Sequence, residues 1–151
     1  MNIIALIFAS VVLSTVSANQ DTDQMSCDFR KGDQCYFLLD MGVAGWTFTK
    51  NGIEPNGDYG QFTFPGPLEI YHPYCITVIY KLPIGSTFTI SSMDPEDSNI
   101  NFNVTGDGSG EWKTSQIDTT FYDDAVLWLG LERDHDGLTA LQQIKTRDGN
   151  C

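Results

Sequence analysis

At 151 residues the chain has the length of one domain, and with 41% hydrophobic and 12% aromatic residues it is too apolar for a disordered acidic tail. A formal net charge of −12, from 8 Lys and Arg against 20 Asp and Glu, argues against nucleic acid as a partner. Phosphate binding rests on clustered cations, and no basic residue here adjoins more than one other; the same balance disfavours an anionic membrane surface.

Residues 1–18 carry no charged side chain, are apolar through most of their length and end in the small residues Val16, Ser17 and Ala18, after which polarity rises abruptly. This pattern predicts a signal peptide cut after Ala18, and hence a secreted, extracellular protein. The apolar run is short for a membrane span and no later segment is longer, so no membrane span is expected. Residues 19–26 form a polar lead-in, and the expected domain covers 27–151, with no internal repeat or linker to mark a second boundary.

Export places Cys27, Cys35, Cys75 and Cys151 in an oxidising compartment. Without a Cys-x-x-Cys pair or paired His ligands they read as two disulfides and not as a zinc site. Four cysteines allow three pairings. Cys27 and Cys35 are close enough to staple a short loop, which would leave Cys75 with Cys151.

From Trp46 onward, period-two alternation recurs. Trp46 and Phe48 oppose Thr47 and Thr49, Phe62 and Phe64 flank Thr63, and Phe88 and Ile90 flank Thr89. Residues 75–81 and 125–131 are apolar on both faces and belong in the middle of the domain. In 99–104, Ile100, Phe102 and Val104 alternate with Asn99, Asn101 and Asn103. Gly, Pro, Asn and Asp clusters separate these runs at Asn51-Gly52, Pro55 to Gly57, Pro65 to Pro67, Pro83 to Gly85, Asp107 to Gly110 and Asp134 to Gly137. No segment holds a helical period for three turns. Roughly eight or more strands with frequent turns predict an all-β fold, a two-sheet antiparallel sandwich of jelly-roll type.

The order of these features resembles a MAM domain, the extracellular adhesion module named after meprin, the A5 protein and a receptor tyrosine phosphatase. The resemblance runs from Cys27 to Cys151. It begins at Cys27-Asp28-Phe29, near the family's Cys-Asp-Phe-Glu, and continues through Cys35, Trp46 and the cysteine-led strand at Cys75 to Gly85 and Ile90. The glycine-rich turn from Gly106 into Trp112 follows, then Gly137 to Ile144, similar to Gly-x-Ile-Ala-Leu-Asp-Asp-Ile, and the final Cys151. It implies the pairings Cys27 with Cys35 and Cys75 with Cys151, and a role in adhesion or homo-oligomerisation. Two departures bear on function: Arg30 stands where the family commonly has Glu, and Gln142 and Gln143 where it has Asp-Asp. Acidic side chains of these segments hold a cation in some members. Neutral amides and a guanidinium are poor Ca²⁺ ligands, so no metal site and no cofactor are expected.

No catalytic group is expected. Ser109 lies in a glycine-rich run, but its only candidate imidazole bases are His72 and His135. The segment from Glu132 to Gly137 imitates the start of a calcium loop, yet its twelfth position is Gln143, and a hairpin turn is the expected structure. Asp94 to Asp97 and Asp123-Asp124 read as solvated loop charges. Asn103-Val104-Thr105 is a glycosylation sequon turned outward by the alternation around it. Trp46, Trp112 and Trp128 read as core. Tyr71-His72-Pro73-Tyr74 is the best candidate contact patch, because tyrosine supplies large area at little entropy cost, with Tyr71, His72 and Tyr74 as its members. The expected function is non-catalytic binding to an extracellular or cell-surface protein, to a glycan or to a second copy of the chain. The alternative is a jelly-roll carbohydrate binder of lectin type, with a defence role.

Overall fold

The computed structural model describes residues 26–32, 35, 45–64, 71–93, 98–120, 126–134 and 137–151. The expected signal peptide, most of the lead-in, the Pro65 to Pro67 turn, the acidic segments at 94–97 and 123–124 and His135 lie outside them.

Ten strands are found among the described residues: β1 (Cys27–Asp28), β2 (Trp46–Thr49), β3 (Gly52–Pro55), β4 (Tyr59–Phe64), β5 (Pro73–Lys81), β6 (Thr87–Met93), β7 (Ser98–Thr105), β8 (Lys113–Thr120), β9 (Val126–Glu132) and β10 (Ala140–Asp148). A single 3-10 turn, Phe29–Lys31, follows β1. The larger sheet runs β2-β3-β10-β5-β8, with β1 also paired to β10; the smaller runs β4-β9-β6-β7. Every pairing is antiparallel. The all-β two-sheet sandwich read from the sequence is the fold. The disulfides pair Cys27 with Cys35 and Cys75 with Cys151. No helix among the described residues is long and apolar enough to cross a membrane.

The sequence alternation explains which faces meet. On β5, Tyr74, Ile76, Val78 and Tyr80 are buried toward the smaller sheet, and Ile117, Leu141 and Ile144 join them from β8 and β10. Phe62, Phe88, Ile90, Leu129 and Leu131 fill the facing side. The two apolar runs are the inner strands β5 and β9, each paired on both edges, as their composition requires. The sheets touch where the Tyr80 and Phe88 rings lie 5.6 Å apart and where Trp46 meets Phe62 edge-on at 5.3 Å. The Trp46 indole N–H donates to the Gln61 carbonyl at 3.1 Å, so burying that ring leaves no orphan donor.

Four expectations need correction. Trp112 is not core: it is 36% exposed and precedes β8, because the glycine-rich turn delays the strand to Lys113. Trp128 is half-buried and lies on the outward face of β9, since Leu129 and Leu131 take the inward one. The 99–104 alternation is broken by a bulge: Ile90 pairs with Phe102 and Ser91 with Ile100, which leaves Asn101 without a partner in the register. The hairpin expected at Glu132 to Gly137 is not found: β9 belongs to the smaller sheet and β10 to the larger, so the two strands do not pair.

Gly52 opens β3 at a φ of +132°, in the region that favours glycine, and a Cβ there would stand 2.3 Å from the Leu141 carbonyl oxygen and 2.9 Å from the Gln142 Cα. Both neighbours are backbone, beside the register shift between Leu141 and Gln143. Gly52→Ala is therefore expected to lower stability by about 2–3 kcal/mol in urea unfolding, from strain at this φ and displacement of β10. A loss within about 0.5 kcal/mol, the range of a neutral surface change, would refute the close approach.

Candidate functional site

β1 and β10, the first and last strands among the described residues, pair with each other, Cys27 with Ile144 and Asp28 with Gln143. The segments in which the sequence departs from its family resemblance are thus neighbours. The Arg30 guanidinium grips the Asp28 carboxylate with both arms, Nε to Oδ1 at 2.8 Å and Nη2 to Oδ2 at 2.7 Å, while the Arg30 backbone N–H donates to Oδ1 at 3.2 Å. A protein-borne cation neutralises Asp28, and a neutral amide stands opposite it. Among the described residues no three His, Cys, Asp or Glu side chains gather as a metal-binding group.

The Arg30 hydrogen bond holds the Asp28 carboxyl below its ordinary range, against a smaller opposing push from burial. A lowered folded-state pKa contributes stability that is present above the unfolded carboxyl value and is lost as pH falls through the folded one. Because Arg30 is 45% exposed, screening keeps the pair small. Arg30→Gln is expected to lower stability slightly at neutral pH, by no more than an exposed ion pair contributes. Urea unfolding of variant and wild type should converge on acidification from about pH 5 to below pH 3. A gap that persists unchanged in acid would show that Arg30 acts by packing.

The tyrosine patch divides. Tyr71 is 62% exposed, and its φ of 59° makes it the one non-glycine residue with positive φ among the described residues. His72 is half-buried, its Nε2 lying 3.8 Å from the Asp148 carboxylate and its ring edge-on to Tyr74 at 5.0 Å. Tyr74 is not a surface contact: it is 4% exposed and belongs to the core of β5. Pro73 reads as a loop residue but opens the strand, a position where a missing N–H does no harm. What remains of the patch is exposed Tyr71 beside half-buried His72, next to a Gly149 N–H that donates to the Pro73 carbonyl at 2.8 Å.

Asn103 is exposed on β7, the edge strand of the smaller sheet, opposite Thr89. Ser109 serves a turn: its N–H donates to Asp107 Oδ1 at 3.0 Å, its hydroxyl accepts from the Glu111 N–H at 3.4 Å, and Lys113 pairs with Asp107. The Lys113 and Ser109 hydrogen bonds hold the Asp107 carboxyl well below the usual carboxylate range.

One concavity is marked by no local sequence pattern. On the outer face of the larger sheet a cavity of about 300 Å³ is lined by Ser26, Thr77, Lys145, Thr146 and Arg147. Lys145 and Arg147 stand two residues apart on β10, on the side opposite buried Ile144 and Thr146, and Lys145 is paired with Thr77. The outward alternation Gln143, Lys145, Arg147 was legible along β10; its union with Thr77 and Ser26 depends on register. No protein-family model matches the chain, and no significant match is found among curated proteins.

Proposed function

We propose that this chain is an exported interaction module of the MAM type, which works by binding an extracellular or cell-surface protein, without catalysis or an obligatory metal. The two-sheet sandwich and the first-with-second, third-with-fourth cysteine pairing support that reading. The observation that carries it is Tyr71. A bulky side chain in the left-handed region costs on the order of 1 kcal/mol or more, and such strain is retained where a surface is shaped for contact. Here it presents an aromatic ring that is 62% exposed. An N-glycan on the outward Asn103 belongs to the same reading.

The test uses protein secreted by its own pathway and crosslinked on its native tissue, followed by affinity measurement with the recovered partner. Tyr71→Gly is expected to weaken binding at least tenfold while leaving thermal stability unchanged or raised, since glycine relieves the positive φ. Chelator should leave affinity intact, and N-glycosidase should reduce the mass by one glycan. Unchanged affinity in the Tyr71 variant would move the contact surface elsewhere; loss of binding in chelator would sink the metal-free claim. A carbohydrate ligand is the second reading, favoured by the cavity beside Lys145 and Arg147, whose lining includes Ser26 and Thr77.

A further inference from the structure

We infer that the cavity on the outer face of the larger sheet is a site for an acidic sugar unit, one monosaccharide bearing a single carboxylate or sulfate. This deepens the carbohydrate reading and does not depend on the Tyr71 surface or on a protein partner.

The site lies where β1 meets β10. Among the described residues β1 pairs with β10 at Ile144 and Gln143, and the Thr146 N–H is taken by the Ser26 hydroxyl at 3.2 Å. Ser26 and Thr146 both line the cavity. Its lining is largely the aliphatic parts of its side chains, with hydroxyls among them: Thr77 lies on the face of β5 opposite the buried Ile76 and Val78, in one register row with Lys145 and Gln116. The next row holds Arg147, Cys75 and Asp118.

Charge selects the ligand. The chain as a whole carries −12, yet two of its 8 basic residues line this one cavity, and neither is ion-paired with a carboxylate among the described residues. The nearest acid in the rows, Asp118, lies two strands from Arg147, about 9–10 Å at ordinary strand spacing. Its carboxylate already accepts the Cys151 N–H. Arg147 is also oriented, because one Nη2 proton goes to the Cys151 carbonyl at 3.1 Å, and Cys151 is tied by its disulfide to Cys75 in the same row. A held guanidinium with N–H groups to spare suits a planar or tetrahedral oxyanion, with Lys145 as a second, movable charge. Two cations fix the potential within a Debye length of about 8 Å. The chain's net charge of −12 disfavours a long polyanion, whereas one charged group meets only the two cations. A cavity of about 300 Å³ is at the small end of ligand sites, which limits the occupant to one sugar whose hydroxyls face Thr77 and Ser26.

The test follows amide NMR shifts of the folded, disulfide-bonded protein. It is titrated with the methyl glycosides of N-acetylneuraminic acid, glucuronic acid and 3-sulfated galactose, with methyl galactoside as the neutral probe. At least one acidic glycoside is expected to saturate shifts at Thr77, Lys145 and Arg147, binding at least about tenfold tighter than the neutral sugar. Lys145→Gln and Arg147→Gln should each weaken it about tenfold, and Lys50→Gln, the same charge change on the exposed β2–β3 turn, should not. Should Arg147→Gln fail to fold, Lys145→Gln carries the comparison alone. The inference is overturned if no acidic glycoside shifts these amides, if Lys50→Gln weakens binding as much as Lys145→Gln, or if only a sulfated polysaccharide binds through Lys145 and Arg147.

Discussion

Cys151→Ser is expected to cost the folded chain about 4.5 kcal/mol, against roughly 2.6 kcal/mol for Cys35→Ser, on the chain-entropy scale for disulfide loops. The bridges close sequence separations of 76 and 8 residues, and a longer loop removes more freedom from the unfolded chain. Native contacts point the same way. Cys75 is fully buried in β5, and Cys151 brings the end of the chain over that strand, where its N–H meets Asp118 and its carbonyl receives Arg147. Against a typical domain stability of about 5–15 kcal/mol, the long bridge is a large share. Urea unfolding of both variants, with secretion yield as a second readout, tests the order. If Cys35→Ser proves the more damaging, the short bridge must be holding native structure and not merely constraining the unfolded chain.

The fold class was legible because burial imposes a period of two on every half-covered strand. The runs at 75–81 and 125–131 were legible as central because both edges of β5 and β9 are occupied. Sheet membership was not. A short connection looks alike whether or not the strands it joins pair, which is why Glu132 to Gly137 reads as a hairpin although β9 and β10 lie in different sheets. A run that is apolar on both faces cannot say which residues point inward, so Trp128 reads as core although Leu129 and Leu131 fill it. The bulge at Asn101 shows the same limit, since one extra residue reverses every later side chain and leaves no mark in composition. Tyr71 and Tyr74 are identical in the sequence and opposite in the fold. Only the start of β5 at Pro73 separates the 62% exposed ring from the 4% exposed one. The cavity depends on rows that join residues 26, 77 and 145, and no local pattern connects segments so far apart.

The second large effect is expected at Phe29. It sits in a one-turn 3-10 helix, capped at the front by Asp28 and closed by left-handed Gly32, whose N–H returns to the Phe29 carbonyl at 3.3 Å. That turn drives the side chain fully inside, where its ring meets Phe62 edge-on at 6.3 Å, and Phe62 in turn meets Trp46 at 5.3 Å. Phe29 thus joins the N-terminal segment to an aromatic cluster drawn from both sheets. Truncating a buried phenylalanine removes transfer energy and leaves a cavity, so Phe29→Ala should cost about 3–5 kcal/mol, whereas Phe29→Leu, which refills most of the volume, should cost less than about 1.5 kcal/mol. The comparison with Cys35→Ser decides what holds this end of the chain. The staple contributes about 2.6 kcal/mol through the unfolded state, less than the ring contributes through packing. Urea unfolding of Phe29→Ala and Cys35→Ser, followed by Trp fluorescence, should therefore place the alanine variant lower. If it unfolds at the wild-type midpoint, the ring is not part of the core and the covalent staple alone positions Asp28 and Arg30.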